Sequence, residues 1–567
     1  MSKGFKKPFI LSDTHLDDLA IRGVKYIKTA HFGDLFETRN APYDYVQKIK
    51  KLKLIKTVIT HKVDRSNIGT VNLIVRQHQK LLRALKDYGS SSNTALKKTA
   101  RLIRNPEEVK VNLDIKSLKH FLRYHRDVEN LHLEEGVEEP APAGQNEEEE
   151  EDKSESEDEL EKIFKLVKKK AWRLRKLKTI EMEGEWEEEF NQFLTALEEN
   201  SQALISLKEI NLKSIIISRH FNPRFLRNWA LAKYIKQIEV AFGDLHSTLM
   251  LFVMYAALFP GLEKLTGVVS LQALAQIDKL GDFQSLKHLK LFFHKDEQNP
   301  TQHQLVELLH RLRLPETLET ADLHFTELDA ASLVPLSLNS LSFNLPKLHS
   351  ISVATTVSPH FRPENATTFL KMAFNNAKNL KNFKLEIESL TNQKLKQFFS
   401  FRDCLDLIEQ TGVQLDSLSL KLPCISFENI SGTQADLDKL SHLSLTADNC
   451  IQDSDQFNSF LAGLNPATIK SIVLNEIEES TPEKLVERLT ILQKYEKLEK
   501  LSLVYKNMPI DDNLTEAFGS LLRSLPNLTY FVFRFGRASN PDPKPFQVKM
   551  NDFFLEKPDL GFSFVDI

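Results

Sequence analysis

The sequence predicts an α/β solenoid, with parallel strands along a concave face and helices along a convex one. Three observations lead there: a short apolar string returns about every thirty residues, the string alternates as a strand does, and the stretches between strings have helical spacing. At 567 residues the chain exceeds one ordinary domain. A repeat array can exceed that size because each turn buries itself only against its neighbours.

The string is seen in SLKHLKL, TLETADL, NLKNFKL, QLDSLSL, KLSHLSL, TIKSIVL, KLEKLSL and NLTYFVF, with GLEKLTG and KLHSISV as close variants. Its leading apolar residues are Leu262, Leu286, Leu318, Leu348, Leu380, Leu415, Leu440, Ile469, Leu498 and Leu528, at intervals of 24 to 35 residues. Within each string, LxL places two side chains on one face of a short strand and leaves the other face free. Upstream, YIKQIEV (Ile235), SLKEINL (Leu207), KLKTIEM (Leu177) and DVENLHL (Val128) keep the form. PEEVKVNL, LIKTVIT and GVKYIKT are weaker members, so the array extends towards residue 20 and holds fourteen to seventeen irregular units.

Helices fill the intervals. In TPEKLVERLTILQKY, Thr481 suits an N-cap and Pro482 the first helical turn, while Leu485, Leu489 and Leu492 recur on one face. TQHQLVELLHRLRLP, DQFNSFLAGLNP and NLTEAFGSLLRSLP repeat the design. Several helices close on a proline shortly before the next string, where the missing N–H and the ring stop the helix.

These repeats resemble the leucine-rich-repeat superfamily, and their length with a full helix is most similar to its ribonuclease-inhibitor-like branch. The resemblance covers at least residues 235 to 535 and implies a horseshoe that binds other proteins through its concave face. One departure stands out. The asparagine expected three residues after the LxL, whose amide would bridge successive turns, is replaced by His294, Thr326, Glu388, Pro423 and Asp448.

Charge divides the chain further. Residues 1–133 carry 27 basic and 13 acidic side chains, residues 134–161 one basic and 15 acidic, and residues 162–178 nine basic and no acidic. The acidic run has no aromatic residue and is expected to be a disordered, low-complexity insert that lengthens one interval of the array. The basic run interleaves apolar residues and is expected to be the helix of the following unit. The expected layout is a basic cap with degenerate repeats (1–133), the acidic insert (134–161), leucine-rich repeats (162–535) and a C-terminal cap (536–567). Three readings of the insert stand side by side: a solvated loop, a clamp over the basic N-terminal third, and a site for a basic partner. Ser154 and Ser156 each have a glutamate three residues later, a pattern that resembles acidophilic kinase sites, and are candidate phosphorylation sites.

Catalytic signals are sparse. FILSDTHLDD and FGDLFE, with Asp13, His15 and Asp34, are similar to the first two metal-ligand blocks of calcineurin-like phosphoesterases, but the GNH and GHxH blocks are missing. His303, Glu307 and His310 share one helix face, opposite the leucines and towards solvent, where nothing would orient metal ligands. Phosphate-binding glycine loops, HExxH and GxSxG are absent from the sequence. Neither an enzyme, a metal site nor a cofactor is expected. The three cysteines, Cys404, Cys424 and Cys450, form no CxxC pair, which points to a reducing compartment. The apolar run Thr248–Phe259 is too short to span a bilayer of about 20 residues.

The free face of the strands is therefore the expected working surface. Its middle row reads Lys290, Asp322, Ser352, Lys384, Ser419, Ser444, Val473, Ser502 and Val532, and its neighbours include His288, Thr320, Asn382, His442, Lys500, Tyr530 and Arg534. A nucleic-acid backbone would call for a continuous basic stripe, which is absent there. The expectation is a soluble, monomeric, non-catalytic scaffold for another protein, in the cytoplasm or alternatively the nucleus. It needs no membrane and no nucleic acid. The family resemblance leaves two alternatives open: an F-box-type ubiquitin-ligase substrate-recognition subunit, whose N-terminal module KPFILSDTHLDDLAIRG matches poorly, and a Ran-type GTPase activator.

Overall fold

The computed structural model describes residues 9–10, 26–32, 54–60, 84–86, 108–112, 122, 128–134, 165–170, 174–186, 188–199, 205–217, 230–241, 247–270, 279–294, 313–329, 345–358, 363–389, 398–430, 437–452, 454–475, 481–505, 511–535 and 561–566. Those residues fall into two compact units, Met1–Leu251 with Leu258–Leu262, and Phe252–Ala257 with Glu263–Ile567.

In the first unit nine strands follow one another in parallel: β1 Phe9–Ile10, β2 Tyr26–Phe32, β3 Leu54–Thr60, β4 Ala84–Lys86, β5 Glu108–Asn112, β6 Asn130–Glu134, β7 Thr179–Trp186, β8 Glu209–Ile217 and β9 Ile235–Val240. Chain order is spatial order, as an α/β solenoid requires. The strings GVKYIKT, LIKTVIT and EVKVN coincide with β2, β3 and β5. Helix α1, Glu188–Glu198, buries Phe193, Leu194, Ala196 and Leu197. Residues 165–170 of the basic run are helical, and Val167, Leu174 and Leu177 from that run are buried.

At β9 the frame departs from the string. Ile235 pairs with Ile210 rather than with Leu207, and Leu212 with Ile238. Each strand also carries a surplus residue, Lys236 in β9 being skipped between Ile210↔Ile235 and Asn211↔Gln237. Ser214, at φ 47°, is the surplus residue of β8, because Glu183 pairs with Lys213 and Gly184 with Ile215. Such a bulge bends its strand and displaces the pairing beyond it.

The second unit continues the same rule with β10 Lys264–Ser270, β11 His288–His294, β12 Thr320–Asp329, β13 Ser350–Ser358, β14 Asn382–Ser389, β15 Phe399–Ser400, β16 Ser417–Ser426, β17 His442–Gln452, β18 Ser471–Asn475, β19 Lys500–Tyr505, β20 Tyr530–Phe535 and β21 Gly561–Asp566. All pair in parallel, and β16 pairs with both β14 and, at its far end, the short β15. Apart from β15 and β21, each strand begins two residues after a leading apolar residue of the string. In β11, Leu289, Leu291 and Phe293 are buried, and Leu418, Leu420 and Leu422 are buried in β16. β21 lies in the stretch expected as a C-terminal cap and pairs with β20 from Tyr530↔Gly561 to Phe535↔Asp566.

Helices cover the buried side. With α2 at Ser247–Met254, they are α3 Pro363–Asn376, α4 Phe401–Thr411, α5 Ser454–Gly463, α6 Pro482–Leu492 and α7 Asp512–Ser524. Phe374 of α3 meets Phe383 of β14 edge-on at 5.1 Å, and Phe518 of α7 lies 4.5 Å from Phe533 of β20. As expected, Thr481 caps α6 by accepting from the Lys484 N–H, Pro482 follows it, and Leu485, Leu489 and Leu492 are buried. Asp511 caps α7 through Leu514 N–H at 2.7 Å. Helix α4 ends on Gly412 at φ +66°, in the left-handed region that glycine enters without strain. The stretch 301–312 of the helix expected over TQHQLVELLHRLRLP lies outside the described residues.

Successive turns are tied first by main chain. The residue just before a strand offers its carbonyl to two N–H groups of the next turn. Glu263 O accepts from Lys287 and His288, both at 2.9 Å, and Lys287 O from Glu319 and Thr320 at 2.8 and 2.9 Å. The pattern runs on through Glu319, His349, Lys381, Asp416, Ser441 and Lys470 to Glu499 O, which accepts from Thr529 and Tyr530. Glu129 O and Lys178 O do the same in the first unit. The bend entering each strand would otherwise leave N–H groups without partners. Side chains add to the ladder: Asn379 Nδ2 donates to Pro346 O at 2.6 Å, and Asn527 Nδ2 to Glu496 O at 2.8 Å.

Candidate functional site

Strand register decides which side chains stand together on the free face of the second unit. The middle row is continuous: Lys290↔Asp322↔Ser352↔Lys384↔Ser419↔Ser444↔Val473↔Ser502↔Val532. One flanking row holds His288, Thr320, Ser350, Asn382, Ser417, His442, Ser471, Lys500 and Tyr530. The other holds Phe292, His324, Ala354, Glu386, Lys421, Thr446, Asn475, Val504 and Arg534. Every residue expected on this face stands in one of the three rows. Phe292, His324, Glu386 and Lys421 belong there as well; extending the alternation one step further along each strand would have found them.

At β11 and β12 the face is a closed polar cluster. Lys290 Nζ is 3.2 Å from Asp322 Oδ2 and 5.0 Å from the Phe292 ring centroid. The Phe292 ring stacks on His324 at 4.6 Å, and His324 Nε2 lies 2.9 Å from Asp322 Oδ1. Those last two atoms are buried, and their contact is close but poorly aligned. For Asp322, burial acts to raise the pKa. Hydrogen bonds from His324 and Ser352, the His324 charge and the Lys290 hydrogen bond outweigh it and hold the carboxyl below the usual aspartate range. Beside the cluster, His288 Nδ1 meets Thr320 Oγ1 at 2.9 Å.

Across β14 and β16 the cations are neutralised in place. Lys384 pairs with Glu386 at 2.9 Å, and Lys421 contacts Glu388. Beyond them the character changes. The three rows on β17 to β20 hold His442, Ser444, Thr446, Ser471, Val473, Asn475, Lys500, Ser502, Val504, Tyr530, Val532 and Arg534, with no acidic residue among them. Asn475 bridges weakly to Thr446 Oγ1 at 3.4 Å and to Ser502 Oγ at 3.5 Å. Tyr530 is 47% exposed, and Lys500 and Arg534 are exposed.

The free face of the first unit is a further polar surface that the sequence reading passed over. His132 sits between Glu181 (3.4 Å) and Glu183 (3.1 Å), Lys213 pairs with Glu181 at 2.6 Å, and Thr179 donates to Glu209 at 3.1 Å. Acidic residues dominate it.

Among the described residues no group of three or more His, Cys, Asp or Glu side chains is placed to hold a metal ion. Asp13, His15, Asp34, His303, Glu307, His310, Ser154 and Ser156 lie outside the described residues. Among the described residues no helix is long and apolar enough to cross a membrane. Cys404 and Cys424 are buried, and burial, with Asp403 adding to it, pushes the Cys404 thiol up to about 12. Comparison with models of protein families returns no match, and neither does comparison with the curated proteins.

Proposed function

We propose that this chain is an irregular leucine-rich-repeat protein of the ribonuclease-inhibitor-like kind that works by binding another protein along its concave strand face, without catalysis. The observation that carries the reading is the unbroken middle row from Lys290 to Val532, in register over nine strands. Such a row offers a long, preordered surface of small and polar side chains. A preordered surface loses little entropy on association, and its short side chains admit a partner backbone closely. The exposed tyrosine and arginine of β20 are the residue types in which interface energy concentrates.

Capture from the native cell tests it. The full chain should recover a reproducible protein, and that protein should be lost when Ser419 and Ser444, in mid-row, are both replaced by arginine. Lys494→Glu, on the exposed turn after α6, should leave recovery unchanged. Equal recovery by all three chains would overturn the proposal.

A further inference from the structure

We infer that the β17–β20 end of this face takes an acidic, extended segment of a partner protein, an inference that rests on the scaffold reading above. Three features of the face single out that end. From β11 to β16 each lysine of the rows already has a carboxylate: Lys290 has Asp322, Lys384 has Glu386 and Lys421 has Glu388. From β17 to β20 the rows contain no acid, and Lys500 and Arg534 make no ion pair among the described residues. Their charge is therefore left for a ligand.

The second feature is spacing. Lys500 and Arg534 stand at opposite ends of neighbouring strands, since Arg534 pairs with Val504, four residues beyond Lys500. Four strand residues and one strand spacing set their backbones about 14 Å apart. An extended chain places carboxylates at that separation when they are roughly four residues apart. The arginine offers a planar fork for one carboxylate, and the lysine a compact charge for the other.

The third feature is the ground between the two cations. Tyr530 is an exposed aromatic in the row of Lys500, and its register partner on β21 is Gly561, which has no side chain to cover it. Between the charges stand Ser502 and two buried valines, Val504 and Val532, while Ser444, Thr446 and Asn475 on the two preceding strands supply donors and acceptors alongside. A floor of small polar and aliphatic side chains rimmed by two cations and one aromatic fits a peptide with several glutamates or aspartates and does not fit a basic one.

The test uses the full chain and a fluorescein-labelled poly-glutamate peptide of about 12 residues, which is long enough when extended to cross the face. Fluorescence anisotropy at low salt should show binding. Lys500→Glu with Arg534→Glu should weaken it at least about tenfold, as reversal of two interface charges does. The same double variant should bind a poly-lysine peptide more tightly than the parent, whose acidic run at 134–161 sets the baseline, and circular dichroism should match the parent. Equal poly-glutamate binding by parent and double variant overturns the inference, as does a double variant that binds poly-lysine no more tightly than the parent. Displacement by poly-uridylate at the same concentration as by poly-glutamate also overturns it, because the site would then read polyanions at large. A negative peptide result, with protein capture still abolished by the Ser419 and Ser444 arginines, removes this inference alone and leaves the scaffold standing.

Discussion

The guanidinium of Arg488 donates to the hydroxyl of Tyr505 at 3.0 Å in a site where neither residue has any exposed surface. Its Nε donates to Asn458 Oδ1 at 2.9 Å, and its centre lies 4.6 Å from the Phe457 ring. Asn458, only 1% exposed, in turn donates to Glu487 at 3.1 Å. Three consecutive turns, through α5, α6 and β19, thus share one polar knot inside an apolar core. Arg488→Ala should cost about 3 to 5 kcal/mol, from the cavity left and from stranding Asn458 and Tyr505. Tyr505→Phe, which leaves only a guanidinium N–H unpaired, should cost about 1 to 3 kcal/mol. Amide hydrogen exchange of α6 measures both; protection unchanged in Arg488→Ala would show that the knot adds nothing.

Asp322 predicts a pH dependence. Its folded pKa is depressed below the ordinary value of 3.8, so the stability it contributes is fully present above that value and is lost as pH falls through the lower folded value. Asp322→Asn removes the titrating group. Unfolding followed in parent and variant should show a stability gap that is present above the ordinary aspartate range and closes as pH falls below it. A gap that stays flat to the lowest pH would contradict the assignment.

Cys404 predicts chemical silence. With its thiol pushed up to about 12 by burial, the thiolate is scarce at pH 8 and the sulfur is shielded. A thiol reagent mapped by mass spectrometry should leave Cys404 unlabelled in the native chain and label it fully in denaturant. Rapid native labelling would mean that α4 opens readily.

Gly412 predicts a separable backbone cost. A Cβ there would meet nothing within 4 Å, so Gly412→Ala should lose only the left-handed penalty at φ +66°, about 1 to 2 kcal/mol. Gly412→Asn should recover part of it, since asparagine tolerates that region better. Thermal unfolding of the two variants gives the comparison, and equal losses would show that the site is crowded after all.

How much of this could be read in the sequence follows from the range of the interactions. Strand starts were legible because a leading leucine and an LxL three residues on are local signals, the strand opening between them at His288 after Leu286 and at Lys500 after Leu498. The rows of the free face followed from them at once, since alternation is strict. The frame at β9 was not legible, because the pairing of Ile235 with Ile210 and the skipped Lys236 leave the strings SLKEINL and YIKQIEV intact. Arg488 was hidden for a different reason: it sits beside Leu485 and Leu489, while its partners Asn458 and Tyr505 are 30 and 17 residues away in other turns. β21 escaped because its Phe562 and Phe564 align with Phe531 and Phe533 without a leucine ahead of them in the usual place. The charge pairs that silence Lys290, Lys384 and Lys421 needed register as well as alternation.

The carbonyl ladder from Glu263 to Glu499 uses atoms that every amino acid carries. Its rungs are borne by Glu, Lys, His, Asp and Ser alike, so a substitution at a rung changes the paint and not the joint. A whole turn could be deleted, duplicated or transplanted at such a joint without matching a side chain on either side. The length of this solenoid is therefore an easy quantity for mutation to alter, whereas the knot at Arg488 fixes three neighbouring turns as a block that must be inherited together.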